Sequence, residues 1–209
     1  NNYGTRQVDL TQSAADIALQ ACDLIVIAAP ADVYTDAAVG RLLAAARRGK
    51  SFLISLGPTL GEDNHTTRSG LERLLELFGV HAREQLVFER DPDRALPFGV
   101  GGEVFFALPK PHAVTRGLLK DGEARFRVLL QLAQGFELQG KSVALLETSG
   151  RAFSVRDAGI LVTPKTAFDG VVHDAEGPFV VAAASELERG GKPEERAARL
   201  IVIGSSVPL

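Results

Sequence analysis

The chain contains no methionine and no tryptophan, and it has a single cysteine, Cys22, among its 209 residues. Because residue 1 is Asn and not Met, we expect the sequence to be a processed or excised piece whose signal peptide cannot be read. One cysteine excludes an internal disulfide framework and any CxxC metal or redox motif. We therefore expect Cys22 to be a small buried hydrophobic residue.

A strong charge of either sign and a long apolar run are also lacking. Lys and Arg number 23 and Asp and Glu 26, for a net charge of −3, so we expect no nucleic-acid partner and no acidic tail. The longest clean apolar stretch, 24–31, is shorter than the roughly 18–20 residues that cross a bilayer. With 45% apolar residues, the composition predicts a soluble globular domain.

The first 80 residues alternate between strand and helix patterns. A continuous β-branched run at 24–29 predicts a strand buried on both faces of a parallel sheet, and 52–56 predicts a second. Thr35 is a helix cap ahead of an apolar stripe at helical spacing, and Ser69 and Glu72 form an S-x-x-E capping box. This alternation predicts an open α/β sheet covered on both faces, a three-layer sandwich.

The rest of the chain carries short strand patterns with few helix signals. Residues 80–140 hold four of them between Gly and Pro turns, which predicts a short antiparallel β insertion or edge. Buried strands return at 142–146, 179–184 and 200–203, and a short strand is also predicted at 7–10. Because no repeat or long linker marks a second domain, we expect a single domain over residues 1–209.

Ligands of an open parallel sheet gather at the carboxyl ends of its strands. Of the loops expected there, 57–68 is the richest in polar side chains. Asp63, Asn64, His65 and Arg68 are therefore the candidate ligand-binding residues, and a solvated loop is the alternative. Asp63 and His65 supply two metal ligands from one segment, whereas a metal site needs at least three. We predict no metal and no other cofactor.

No residue pattern predicts catalysis. Class I glutamine amidotransferases, which use this kind of sheet, place a Cys on a sharp strand-to-helix turn, whereas Cys22 precedes the first strong strand. Ser149, Ser205 and Ser206 follow strands but lie outside any G-x-S-x-G motif. The glycine-rich segment 99–102 precedes a strand pattern, which favours a hairpin turn over a dinucleotide fingerprint. We therefore expect a non-enzymatic domain without catalytic residues.

Five motifs occur in a fixed order along most of the chain. A D-hydrophobic run-P strand lies at 23–30, and 74–80 resembles an LL-x-x-(Y/F)-G-(I/V) helix end. Residues 111–118 resemble an hP-H-P-I-T-x-x-L turn, and 176–184 and 199–206 resemble GP-h-x-h-A-A and R-h-V-V-h-G-(D/S)-S strands. Together they resemble the extracytoplasmic domain of GldG-type auxiliary proteins of ABC transporters associated with gliding motility.

The resemblance implies a flavodoxin-like, class I glutamine-amidotransferase-like α/β fold that has lost catalysis. It also implies a non-catalytic auxiliary domain of an ABC-type transport system, which contacts permease and ATPase subunits or binds their cargo. The domain would lie on the extracytoplasmic, periplasmic face of the bacterial inner membrane, anchored by helices outside this sequence. Two alternatives stay open: an amidotransferase-like hydrolase, and a saccharide- or nucleotide-binding domain that uses the 57–68 loop.

Overall fold

The computed structural model of the chain describes residues 4–30, 32–96, 101–162, 173–187, 196–205 and 207–208. Its α-helices are α1 (Ala15–Ala21), α2 (Asp36–Arg47) and α3 (Glu72–Leu77). Two 3-10 helices follow, at Arg116–Leu118 and Ala158–Val162. All the α-helices of the described chain therefore lie before residue 78.

Sixteen strands are present in the described residues. They are β1 (Leu24–Ala28), β2 (Ser51–Ser55), β3 (Thr59–Leu60), β4 (Thr66–Thr67), β5 (Val80–Phe88), β6 (Val104–Pro109), β7 (Leu119–Lys120), β8 (Glu123–Ala124), β9 (Val128–Gln131), β10 (Ala133–Leu138), β11 (Val143–Glu147), β12 (Phe153–Val155), β13 (Ala175–Glu176), β14 (Val180–Glu186), β15 (Arg199–Ile203) and β16 (Val207–Pro208).

Twelve of these strands form one mixed sheet. Nine of them lie in the order β13-β12-β5-β10-β14-β11-β6-β9-β16, and every neighbouring pair is antiparallel. Strand β15 also pairs with β14, and β1, β2 and β15 lie side by side as a parallel trio. The other four strands form two small hairpins, β3-β4 and β7-β8.

The prediction of a mostly parallel, flavodoxin-like three-layer sandwich is wrong. Parallel neighbours need a crossover connection, which is usually a helix, and beyond α3 the described strands are joined mainly by turns. The run at 179–184, predicted as a buried strand, lies largely in β14 and is covered on both faces. Val181 packs into one core cluster and Ala183 into another, although β14 is antiparallel to each of its neighbours.

Strand β1 is an edge strand with one exposed face, so the prediction of burial on both faces is also wrong. Among the described strands it pairs only with β2. Ile25 and Ile27 are buried, whereas Leu24 and Val26 are 51% and 59% exposed. An apolar run does not reveal where its strand lies in the sheet. Residues 7–10, the other predicted strand, form a loop and the start of a turn.

The helices cover one face of the parallel trio. Helix α2 begins as predicted after Thr35, whose side chain accepts a hydrogen bond from the Ala38 N–H. Half of the predicted capping box forms ahead of α3: the Ser69 N–H donates to Glu72 Oε1 at 2.7 Å, but the Ser69 hydroxyl accepts from the Leu71 N–H, two residues on, and not from Glu72. The apolar faces of all three helices join the trio in the largest core cluster. Two smaller clusters fill the antiparallel part of the sheet.

The parallel trio meets the antiparallel strands at one tight backbone contact. Just after β15, the Gly204 N–H donates to the Val181 carbonyl, and the Gln134 N–H donates to the Gly204 carbonyl, both at 2.8 Å. A Cβ atom at Gly204 would lie 2.2 Å from the Gln134 carbonyl oxygen. The buried Gln134 side chain donates to the Leu56 carbonyl at 2.9 Å. This close approach requires glycine at position 204.

We expect Gly204→Ala to destabilise the chain by about 1–3 kcal/mol or more, because backbone atoms must move to admit the methyl group. Gly40→Ala is the matched control. Gly40 lies within α2, and no atom lies within 4 Å of the position of its added Cβ. The control should therefore stabilise the chain by about 0.5–1 kcal/mol. Urea unfolding measures both changes, and equal stability of the two variants would contradict the close approach.

Neighbouring positions on β1 test its one-sided burial. Ile27→Ala removes carbon atoms from a packed core, so we expect it to lower the free energy of unfolding by about 2–5 kcal/mol. Val26→Ala removes atoms from an exposed face, so we expect a change of about 0.5 kcal/mol or less. Denaturant midpoints of the two variants measure the difference. Losses of similar size at both positions would show that β1 is covered on both faces.

Candidate functional site

The predicted ligand-binding residues lie on and beside the β3-β4 hairpin. The Gly61 N–H donates to the His65 carbonyl at 2.8 Å, and the His65 N–H donates to Asp63 Oδ1 at 3.1 Å. Asn64 has a φ of 60°, a left-handed conformation that Asn adopts more readily than most residues. The loop sequence therefore builds a turn that is held by its own polar groups.

The hairpin is fastened to two neighbouring segments. The Asn64 carbonyl accepts a hydrogen bond from the Ala158 N–H at 2.8 Å, and the Thr66 N–H donates to the Arg156 carbonyl at 2.9 Å. The hydroxyl of Thr66, which is buried, donates to the Glu84 carbonyl of β5. The backbone of the hairpin is thus held both at its tip and along β4.

Asp63 and His65 come together, whereas Arg68 pairs with a residue of another strand. His65 Nδ1 lies 3.9 Å from Asp63 Oδ2, and the two side chains are 55% and 74% exposed. Arg68 Nε donates to Glu84 Oε1 at 3.0 Å, and this hydrogen bond raises the pKa of Arg68 above its ordinary value. No contact within the described residues joins Arg68 to Asp63 or His65, so a ligand-binding role for this loop stays a prediction.

A buried polar cluster that the sequence did not indicate joins the end of β5 to the loop after β11. Glu89 and Ser149 are only 2% and 7% exposed. The Ser149 hydroxyl donates to Glu89 Oε1 at 2.6 Å, and its N–H donates to Oε2 at 2.8 Å. The Asp91 N–H adds a third hydrogen bond to the carboxylate at 2.9 Å. These donors replace the water that the carboxylate loses on burial.

The hydrogen bonds of this cluster connect β5 to the loop after β11. A hydroxyl beside a carboxylate is the arrangement that general-base catalysis uses. Here, however, the Ser149 oxygen also accepts from the Arg151 N–H at 3.0 Å, and both side chains are buried. The contact between Glu89 and Ser149 could not be predicted from a local sequence motif, because the two residues are 60 positions apart in the sequence.

The other candidate nucleophiles also donate to groups of the protein. The Ser205 hydroxyl donates to the Gln131 carbonyl at 2.7 Å, and the Cys22 thiol donates to the Leu19 carbonyl at 3.2 Å. Cys22 is half-buried, which is less burial than we predicted for it. Ser206, the third serine considered as a nucleophile, lies outside the described residues.

A stack of a cation and two rings lies beside β12. The central carbon of the Arg90 guanidinium lies 4.3 Å from the centre of the Phe153 ring. The centre of the His173 ring lies 4.2 Å from the centre of the Phe153 ring. The Arg90 guanidinium also lies beside Nε2 of His173. Burial, together with the Arg90 charge, lowers the pKa of His173. The stack therefore covers the Phe153 ring with the side chains of Arg90 and His173 at this edge of the sheet.

The described residues form neither a metal-binding cluster nor a membrane-spanning helix. No group of three or more His, Cys, Asp or Glu side chains in these ranges is arranged to hold a metal ion. Among the helices of the same ranges, none combines the length and apolarity that a membrane span needs.

Residues 99 and 100 of the predicted 99–102 hairpin turn lie outside the described residues, whereas Gly101 and Gly102 have φ values of 97° and 86°.

Comparison with known proteins gives a likeness of fold. No protein-family profile matches the chain, and no curated protein matches it. Among solved structures, a chain named "mmIFT52 N-terminal domain" is similar, with a TM-score of 0.61 at 15% identity over 93% of this chain and 71% of that chain. At this level of identity the likeness concerns the fold alone. It agrees with a β-rich mixed sheet and not with the flavodoxin-like sandwich.

Proposed function

We propose that this chain is a non-catalytic auxiliary domain of an ABC-type transport system of the GldG type. In this role it binds permease and ATPase subunits, or their cargo, on the extracytoplasmic face of the bacterial inner membrane. The support for the transport role and for the location is the ordered series of five motifs from residue 23 to residue 206. The proposal concerns function and does not depend on the amidotransferase-like fold.

One structural observation supports the non-catalytic part: groups that could act as nucleophiles hold the fold together. Ser149 donates to the buried Glu89 carboxylate, and Ser205 donates to the Gln131 carbonyl. Turning the Ser149 hydroxyl toward a substrate would remove one of the three hydrogen bonds to the buried Glu89 carboxylate, which costs stability. This arrangement favours a domain that acts by binding other molecules.

Affinity purification of the full-length protein from detergent-solubilised membranes tests the proposal. We expect the permease and ATPase subunits of one ABC system to co-purify, because an auxiliary domain must contact them directly or through cargo. A Ser149→Ala variant serves as a control: if the domain acts by binding, the same partners should co-purify with this variant whenever it folds. A protein that never fractionates with membranes and purifies alone would contradict the proposal.

A further inference from the structure

A segment that we define as the arm, residues 110–127, lies outside the twelve-stranded sheet. It contains the 111–118 turn that the sequence singles out, the first 3-10 helix and the β7-β8 hairpin. Fourteen of its 18 residues are exposed, and only Thr115 is buried. Asp121 and Gly122 at the hairpin tip have φ values of 54° and 86°, which is the geometry of a tight two-residue turn.

Hydrogen bonds give the arm a fixed shape. The N–H groups of Arg125 and Phe126 both donate to the Leu118 carbonyl, at 2.9 and 3.0 Å. At the base of the arm, Arg127 Nη1 donates to the Asp93 carbonyl at 2.6 Å. The exposed side chains are therefore presented from an ordered backbone.

The arm is cationic although the chain is acidic. It holds five Lys and Arg residues against two Asp and Glu, a net charge of +3, whereas the whole chain carries −3. The remaining residues therefore carry −6. Lys110 pairs with Glu147 at 2.8 Å, but Arg116, Lys120 and Arg125 form no ion pair with any described residue. These three cations are available to an external anion.

Exposed apolar side chains accompany these cations. Val114 is 51% exposed and Phe126 is 50% exposed. The Arg125 guanidinium lies 4.9 Å from the centre of the Phe126 ring, so an aromatic ring and a cation are presented together. Segments that lie in a membrane interface use this combination, because apolar groups enter the headgroup region while cations meet anionic lipids.

We propose that the arm docks this domain on an anionic phospholipid surface. A lipid surface needs no matching groove, which suits an arm whose residues are almost all exposed. An anionic surface attracts the arm and repels the acidic remainder of the chain. This difference in charge favours the orientation in which the arm faces the lipid. An acidic polypeptide would also attract the cations, and binding to polyglutamate tests that alternative. This proposal goes beyond the transport role and needs no transporter subunit.

Co-sedimentation of the 209-residue chain with vesicles tests the arm. The vesicles contain phosphatidylcholine alone, or phosphatidylcholine with about 30% phosphatidylglycerol, which supplies the anionic surface. We expect binding to the anionic vesicles only, with loss of binding at about 0.5 M salt. Arg116→Gln/Lys120→Gln/Arg125→Gln should weaken binding by about tenfold or more. Val114→Ser/Phe126→Ser should weaken it without a change of charge.

The matched control is Arg6→Gln/Arg47→Gln/Arg48→Gln, which removes three exposed cations outside the arm and should leave binding unchanged. Thermal unfolding of each variant checks that it folds. Failure of the chain to bind anionic vesicles, or equal losses in the arm and control variants, would overturn the proposal. The proposal would also be overturned, in favour of an acidic protein partner, if the chain bound polyglutamate more tightly than vesicles and Val114→Ser/Phe126→Ser left the binding to polyglutamate unchanged. The transport proposal is tested separately, by whether permease and ATPase subunits co-purify in detergent, where no vesicle surface is present for the arm to bind.

Discussion

The backbone contact between Gly204 and Gln134 joins two sets of strands with different packing. On one side, β1, β2 and β15 run parallel and are covered by helices on one face. On the other side lie nine antiparallel strands, and the described residues that connect them contain no α-helix. Because β10 and β15 both pair with β14, their ends must meet, and the meeting point leaves no room for a Cβ atom. The mixed sheet depends on that fit.

Polar groups at the described ends of the parallel strands form hydrogen bonds across the same junction. The Ser55 hydroxyl donates to the Ser205 carbonyl at 2.5 Å, and the Ser205 hydroxyl donates to the Gln131 carbonyl. The Gln134 amide donates to the Leu56 carbonyl. In an open α/β sheet these positions bind ligands, whereas here their polar groups connect strands. The exposed surfaces described above as suited to binding other molecules are the β3-β4 hairpin and the 110–127 arm.

Features that depend on neighbouring residues could be predicted from the sequence, and features that depend on distant partners could not. The Thr35 cap and the hydrogen bond from the Ser69 N–H to Glu72 were predicted because each spans three residues. The loop containing His65 was recognised from its polar composition. The Glu89–Ser149 contact and the direction of strand pairing were missed. They are set by pairing across the sheet, and a buried apolar run looks the same in a parallel and an antiparallel strand.

Amide hydrogen exchange tests most directly whether the junction fastens the sheet into one unit. The N–H groups of Gln134, Gly204 and Leu56 all donate across or beside it. Our account predicts that they exchange only through global unfolding, with the same opening free energy as the amide of Ala183, which lies fully buried in β14. Much faster exchange at the junction than at Ala183 would show that the two parts of the sheet open independently, and would contradict the account.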